Sequence, residues 1–359
     1  MPKLVPVILF ALTLALGAFM VIGVEDEGRV AISTAMLAVA LVLLVFGADF
    51  LVHGAVVLAR QLGVSAFFIG VTVVAFGTSA PELAASVGAA ARAKGELAIG
   101  NVLGSNIANI CLILGVTALI KPIPVDRSIW RVDAPIMLLV TVLASFSVLD
   151  YYINPAATIG RIDGVLLVLG LVAYVWYNAK AGKINPEEVE HEVEIELSGS
   201  TGETPPGARL LTKSVPALLV AFGLAGLIVG AELLVDGATT IASEIGVSDA
   251  IIGLTVVALG TSIPELVFSA RAAMKDHPEI AIGNIIGSNV FNLLSVLGIA
   301  ALVRPLAVPS EAAHRDIWVV MGATALCLLM MKSQRRVNRL EGAALVLGYA
   351  VYTGYLYLA

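Results

Sequence analysis

Gly77-Thr78-Ser79-Ala80-Pro81-Glu82 and Gly260-Thr261-Ser262-Ile263-Pro264-Glu265 each place a carboxylate directly after a proline in strongly apolar sequence. A second motif follows each of them. In the first copy it is Gly100-Asn101-Val102-Leu103-Gly104-Ser105-Asn106-Ile107-Ala108-Asn109. In the second it is Gly283-Asn284-Ile285-Ile286-Gly287-Ser288-Asn289-Val290-Phe291-Asn292. The offset is a constant 183 residues, and 27 of the 47 positions from Gly63 to Asn109 are identical in the second copy without a gap. The repeat extends upstream, where Gly47-Ala48-Asp49-Phe50-Leu51-Val52-His53-Gly54-Ala55 answers Gly230-Ala231-Glu232-Leu233-Leu234-Val235-Asp236-Gly237-Ala238.

The surroundings of these motifs define the solvent. Of 359 residues, 59% are hydrophobic and only 13% charged, against about 25% charged in a soluble domain. Most of the chain therefore has no water to face, and a polytopic membrane protein follows. A membrane helix needs about 20 apolar residues. Segments that qualify lie near 4–24, 32–59, 65–91, 97–120, 132–150, 161–178, 214–242, 248–273, 279–303, 316–331 and 341–358. They do not alternate in polarity as barrel strands do. The fold class is thus an all-α polytopic membrane protein with two five-helix repeats and one extra N-terminal helix. The expected divisions are 1–28 (the extra helix, read as retained rather than as a cleaved signal), 29–178 (first repeat), 179–212 (linker) and 213–359 (second repeat).

Five spans per repeat is an odd number, so the second copy enters the membrane from the opposite side. Such inverted repeats are the layout of many secondary transporters, with the site at their interface near the midplane. Lysines and arginines distribute accordingly. Fifteen of the 21 fall on the side of the N-terminus and six on the other, which makes the first side cytoplasmic and the C-terminus external. The linker carries Glu187, Glu188, Glu190, Glu192, Glu194, Glu196 and Glu203. It reads as a solvated cytoplasmic connector, which explains most of the net charge of −6. No basic tract interleaved with aromatics supports nucleic-acid binding. Cys111 and Cys327 sit in apolar runs without metal-type spacing and read as core residues.

Glu82 and Glu265 carry the chemistry. A charge at mid-membrane costs roughly 2.5–3.5 kcal/mol on insertion scales, so an uncompensated pair costs about 5–7 kcal/mol. No lysine or arginine lies at that depth in either helix, which leaves a proton or a metal cation as the counter-charge. Pro81 and Pro264 lack an N–H and disfavour helix at the residue before them. Each helix should break at its Gly-Thr-Ser and bare carbonyls at Thr78 and Thr261, beside the hydroxyls of Thr78, Ser79, Thr261 and Ser262. Exposed backbone at that depth is tolerated only where it lines a cavity. Ser105 and Asn109 share one helix face, as do Ser288 and Asn292, and Gly100/Gly104 and Gly283/Gly287 permit close approach. All of these ligands are oxygens, which suits a hard cation such as calcium or sodium. Asp49, His53, Glu232 and Asp236, matched in pairs by the repeat, read as contacts near the membrane faces rather than as a gate.

The two motif pairs resemble the alpha-repeats of the cation/calcium exchanger superfamily, most closely its sodium/calcium exchanger branch, over the ten repeat helices. The resemblance implies calcium held between Glu82 and Glu265 with the carbonyls of Thr78 and Thr261. It implies sodium sites that use Glu82, Glu265, Ser105 and Ser288, with the Ala75 carbonyl and Thr78 on one side and the Ala258 carbonyl and Thr261 on the other. Asn109 matches the family's central amide. Asn292 departs from it, since several relatives carry aspartate there. The implied function is a plasma-membrane antiporter of sodium and calcium with alternating access, in which the first helix of each half slides across a rigid core. Calcium and sodium are its transported ions, and no cofactor is expected. A proton/calcium antiporter is the nearest rival, and a calcium channel a more distant one. No Gly-x-Ser-x-Gly or His-Glu-x-x-His signature points to an enzyme.

Overall fold

A computed structural model describes residue 13 and residues 29–154, 156–181, 208–246 and 258–358. The expected helix at 4–24, most of the acidic linker and the stretch 247–257 lie outside the described residues.

The described chain is helical, as it must be where backbone groups have no water to bond. The first half comprises α1 (Arg29–Leu62), the broken pair α2 (Ala66–Thr78) and α3 (Ala80–Ala91), α4 (Gly95–Ile120), α5 (Ile129–Tyr152) and α6 (Arg161–Ala181). The second comprises α7 (Ala208–Glu244), the short α8 (Ala258–Gly260) and α9 (Ile263–Met274), α10 (Pro278–Val303), α11 (Ala312–Gln334) and α12 (Arg339–Leu358). Seven of the described helices are long and apolar enough to cross a membrane, or eight spans with α2 and α3 counted together. Both cysteines are buried and unpaired.

Two-residue strands report how the halves are related. β1 (Ile123–Pro124) pairs with β4 (Arg336–Val337), and β2 (Thr158–Ile159) pairs with β3 (Leu306–Ala307). β1 corresponds to β3 at the offset of 183. β2 corresponds to β4 at an offset of 178, the second half having a connection five residues shorter before Arg339-Leu340-Glu341-Gly342, the match of Arg161-Ile162-Asp163-Gly164. Exchanging the halves therefore turns one pairing into the other. β1 precedes α5 and β2 follows it, so the two pairings sit at opposite ends of the bundle. This is the geometry of an inverted repeat. Its corners repeat too: Ala93 and Asp276 share a left-handed backbone (φ 62° and 64°), as do Gly63 and Gly246 (65° and 85°).

α4 and α10 form the centre. Of their apolar stretches, 72% and 89% respectively are buried inside the protein. Where they cross, Asn106 Nδ2 donates to the backbone oxygen of Asn289, its own repeat counterpart, at 3.3 Å, which places the approximate twofold between these helices. α1 and α7 form a separate, closely apposed pair. Their backbones nearly touch: a Cβ built on Gly223 would lie 2.6 Å from Leu51 N and 2.8 Å from Gly47 O. Only glycine fits such an approach.

Candidate functional site

Both predicted helix breaks are present. α2 ends at Thr78, Ser79 leaves helical geometry (φ −82°, ψ 7°), and α3 begins at Ala80 after a 44° bend, with Pro81 in its first turn. Ser262 (φ −93°, ψ 4°) does the same before α9, with Pro264 in the first turn. The prolines cost nothing here, because the N–H groups of a first turn have no intrahelical partner. Glu82 and Glu265 also fall in first turns, where the unpaired N–H groups and the helix dipole favour negative charge.

The two breaks face each other, and each half serves the other's carboxylate. Ser79 Oγ donates to Glu265 Oε1 at 3.1 Å, and Ser262 Oγ donates to Glu82 Oε1 at 3.2 Å. These two bonds are images of one another under the twofold. Thr261 also approaches the Glu82 carboxylate, and Thr78 and Ser288 approach that of Glu265. Both glutamates are 1% exposed. Neither forms an ion pair with any described lysine, arginine or histidine.

What remains unbonded is more informative. Glu82 Oε2, Glu265 Oε2, Thr261 Oγ1, Ser288 Oγ, Asn109 Oδ1 and both amide atoms of Asn292 are buried without a hydrogen-bond partner. Native proteins leave few such atoms, and of the thirteen among the described residues seven fall on the predicted site residues. Six of the seven are oxygens. Among the described residues no three His, Cys, Asp or Glu side chains gather, so the donor set is two carboxylates plus neutral oxygens. That is the chemistry of an oxygen-seeking cation of low charge. Ser105 is buried on the α4 face as expected. The Ala75 carbonyl is partly engaged, accepting from Ser79 N at 3.0 Å and Thr78 Oγ1 at 3.4 Å. For Ala258 only the backbone, in α8, is described.

A supporting layer lies behind these groups. Asn284 Nδ2 donates to Ser269 Oγ at 3.1 Å, while its Oδ1 accepts from Thr78 Oγ1 at 3.2 Å. Its counterpart Asn101 donates to Ser86 Oγ at 2.9 Å and to the Glu82 backbone oxygen at 3.4 Å. Sequence reasoning had used the glycines around Asn101 and Asn284 without giving these amides or serines a role. Their identity in both copies was the available signal. It also missed the π-helical turns at Ala108–Leu114 and Asn292–Val296. These wide turns carry Asn109 and Asn292, and such turns are frequent at functional sites. Asp49, read as a contact near a membrane face, binds Arg271 and Lys275 at the end of α9. His53, Glu232 and Asp236 are exposed.

With this geometry in place, relationships to known proteins become specific. The family model described as sodium/calcium exchanger protein matches residues 32–180 and 215–358. The chain belongs to the sodium/calcium exchanger family. It is 35% identical over 333 residues to the inner membrane protein YrbG of Escherichia coli, covering 91% of this chain and 97% of the relative. It is 32% identical over 302 residues to the sodium/calcium exchanger MaX1 of Methanosarcina acetivorans, covering 78% and 85%. A solved structure of the sodium-calcium exchanger NCX_Mj, soaked with sodium and strontium ions, superposes with a TM-score of 0.76 at 32% identity, over 90% of this chain and 97% of that one. As an exchanger-family member the chain is a multi-pass membrane transporter.

Proposed function

We propose that this exchanger-family member carries calcium and sodium in opposite directions through one site built from Glu82 and Glu265. The observation that supports this reading is the reciprocal pair of buried carboxylates, each held by a serine of the other half through Oε1 and each leaving Oε2 unpartnered. A calcium ion has twice the charge of one carboxylate and takes six to eight oxygens, so a single ion neutralises the pair. The Thr78 and Thr261 carbonyls, with Ser288, Asn109 and Asn292, complete its shell. Sodium ions use the same carboxylates with Ser105, Ser288 and the Ala75 and Ala258 carbonyls. Because the ligands are shared, loading one ion type excludes the other, and no covalent step is required.

Vectorial exchange then needs only that the loaded site open to each side in turn. The chain resides in the plasma membrane, with the acidic linker and the Lys332–Arg339 turn on the cytoplasmic side and the C-terminus outside, as the charge distribution supports. The sodium gradient would drive calcium out of the cell.

Reconstituted vesicles test the proposal. Calcium uptake should follow an imposed sodium gradient and should not follow a pH gradient alone; uptake driven only by the pH gradient replaces sodium with protons as the coupling ion. Glu82→Gln and Glu265→Gln should each abolish exchange. Either substitution removes half the site's charge, and one charge–charge contact near 2.4 Å is large even at an effective dielectric of about 20. Full transport in both variants would dismiss the site.

A further inference from the structure

Asp49 on α1 is held by Arg271 in the last turn of α9 and by Lys275 at its C-cap. Its Oδ1 accepts from Arg271 Nε at 2.8 Å and Nη2 at 2.5 Å, and lies 3.0 Å from Lys275 Nζ. The three side chains are only 23%, 26% and 36% exposed. Neither α1 nor α9 contributes Asp49, Arg271 or Lys275 to the ion site, so the exchange chemistry does not account for this cluster.

The repeat supplies its counterpart. Asp49 corresponds to Glu232 on α7, and Lys275 corresponds to Arg92 at the end of α3. The charges are preserved, acidic on the long helix and basic at the end of the half-helix. In this structure, however, Glu232 and Arg92 are both exposed and do not pair with each other or with any other described residue. Arg271 has no counterpart, since Gly88 stands in its place.

Packing shows the same asymmetry independently. α1 packs along α9, whereas α7 makes no comparable contact along α3. Among the described residues the α1–α7 pair therefore leans on α9 and not on α3. Exchanging the two halves by the twofold generates the opposite arrangement, in which α7 lies along α3, Glu232 meets Arg92 and Asp49 is free. The two ion pairs lie at opposite ends of the bundle, because α3 and α9 run away from the central breaks in opposite directions.

We propose that Asp49–Arg271/Lys275 and Glu232–Arg92 are alternative latches, one at each membrane face, that position the α1–α7 pair in its two stations. Making one breaks the other as access to the site switches sides. The latch with two cations holds more tightly than the latch with one, so the arrangement seen here is the preferred one. The proposal shares with the exchange reading the need for two access states, but it is independent of which ions are carried.

Thiol crosslinking tests it without any transport readout. In a Cys111→Ala/Cys327→Ala background in lipid nanodiscs, the pairs D49C/K275C and R92C/E232C are treated with a short bifunctional methanethiosulfonate. A variant carrying all four cysteines should form one crosslink or the other on each molecule, never both. Adding Arg271→Ala to the R92C/E232C pair should speed its crosslinking about fivefold, the population shift expected from losing one partly exposed ion pair made by two hydrogen bonds. Double crosslinking of single molecules, or an R92C/E232C rate unchanged by Arg271→Ala, overturns the proposal. Reaction of the R92C/E232C pair does not depend on expression of the D49C/K275C pair, so a failed variant leaves the second arm decisive. Absence of sodium–calcium exchange by the uncrosslinked Cys111→Ala/Cys327→Ala protein, with the crosslinking pattern as expected, would instead count against the ions and not the latches.

Discussion

Replacing glycine by alanine should change sign along this chain according to what stands opposite. In a helix interior with free space, the substitution stabilises by up to about 1 kcal/mol, because glycine loses more backbone freedom on folding. Gly322 in α11 has nothing within 4 Å of its would-be Cβ, so Gly322→Ala should fall at this favourable end. Gly223 in α7 is the opposite case. Its Cβ would sit 2.6 Å from Leu51 N, 2.7 Å from Leu51 Cβ and 2.8 Å from Gly47 O, and two of the three are backbone atoms that cannot rotate away. Ordinary contact begins at 3.4 Å, so α1 and α7 must part by most of an ångström along their shared seam. Overpacking of that kind costs about 1–3 kcal/mol. Gly237, whose nearest neighbour is Ser33 O at 3.0 Å, should lie between the two. Thermal unfolding in detergent should therefore rank the variants Gly322→Ala above wild type, then Gly237→Ala, then Gly223→Ala. A Gly223→Ala protein as stable as Gly322→Ala would refute the close α1–α7 seam.

Three further outcomes follow from the same geometry. Asn284→Ala removes the partner of Ser269 Oγ and one of the partners of Thr78 Oγ1 in a fully buried setting and should cost about 2–3 kcal/mol, while Asn101→Ala, at a half-buried position, should cost about 1–2 kcal/mol; equal denaturation midpoints would contradict the asymmetry. At the surface, Lys121 bonds the Asp276 carboxylate and holds that carboxyl below its usual range. A lowered folded-state value stabilises at pH above the unfolded value near 4 and is lost as pH falls through the folded one, so wild type and Lys121→Met should differ in stability at pH 7 and converge in strong acid. Asn292→Asp adds a third carboxylate where both amide atoms are unpartnered, and should raise the number of monovalent charges bound per cycle, read as a steeper sodium dependence of calcium transport.

The breaks, the glutamates and the inverted halves were legible because each leaves a local mark. Pro81 and Pro264 cannot continue a helix, Glu82 and Glu265 cannot sit unbalanced in lipid, and an odd span count inverts the second copy. Other features leave no such mark. Whether Ser79 serves Glu82, three residues away, or Glu265, across the twofold, depends on how two half-helices face each other, and the structure gives the cross-over answer. The π-helical turns at Asn109 and Asn292 are equally silent, since nothing in Ala-Asn-Ile-Cys or Asn-Leu-Leu-Ser demands a wider turn. The distance of Asp49 from a helix end says nothing about the two cations that the end of α9 brings to it.

The crossed serine bonds explain why a duplicated motif makes one site and not two. If each serine had bonded the glutamate of its own half-helix, each copy would be closed on itself, and the halves could separate without loss. Because Ser79 reaches Glu265 and Ser262 reaches Glu82, each carboxylate is complete only in the presence of the other half. The same exchange joins β1 to β4 and β2 to β3 at the two ends of the bundle, and Asn106 to Asn289 at its centre. These ties fix α2–α5 and α8–α11 to one another as a single body with the carboxylates at its midpoint. α1 and α7 take no part in them, and are joined mainly to each other along a seam of glycines. A rigid body carrying the two carboxylates and a separate helix pair leaning on one side of it are the two parts that the proposed alternating access requires, and the asymmetry of that lean is the degree of freedom left to move.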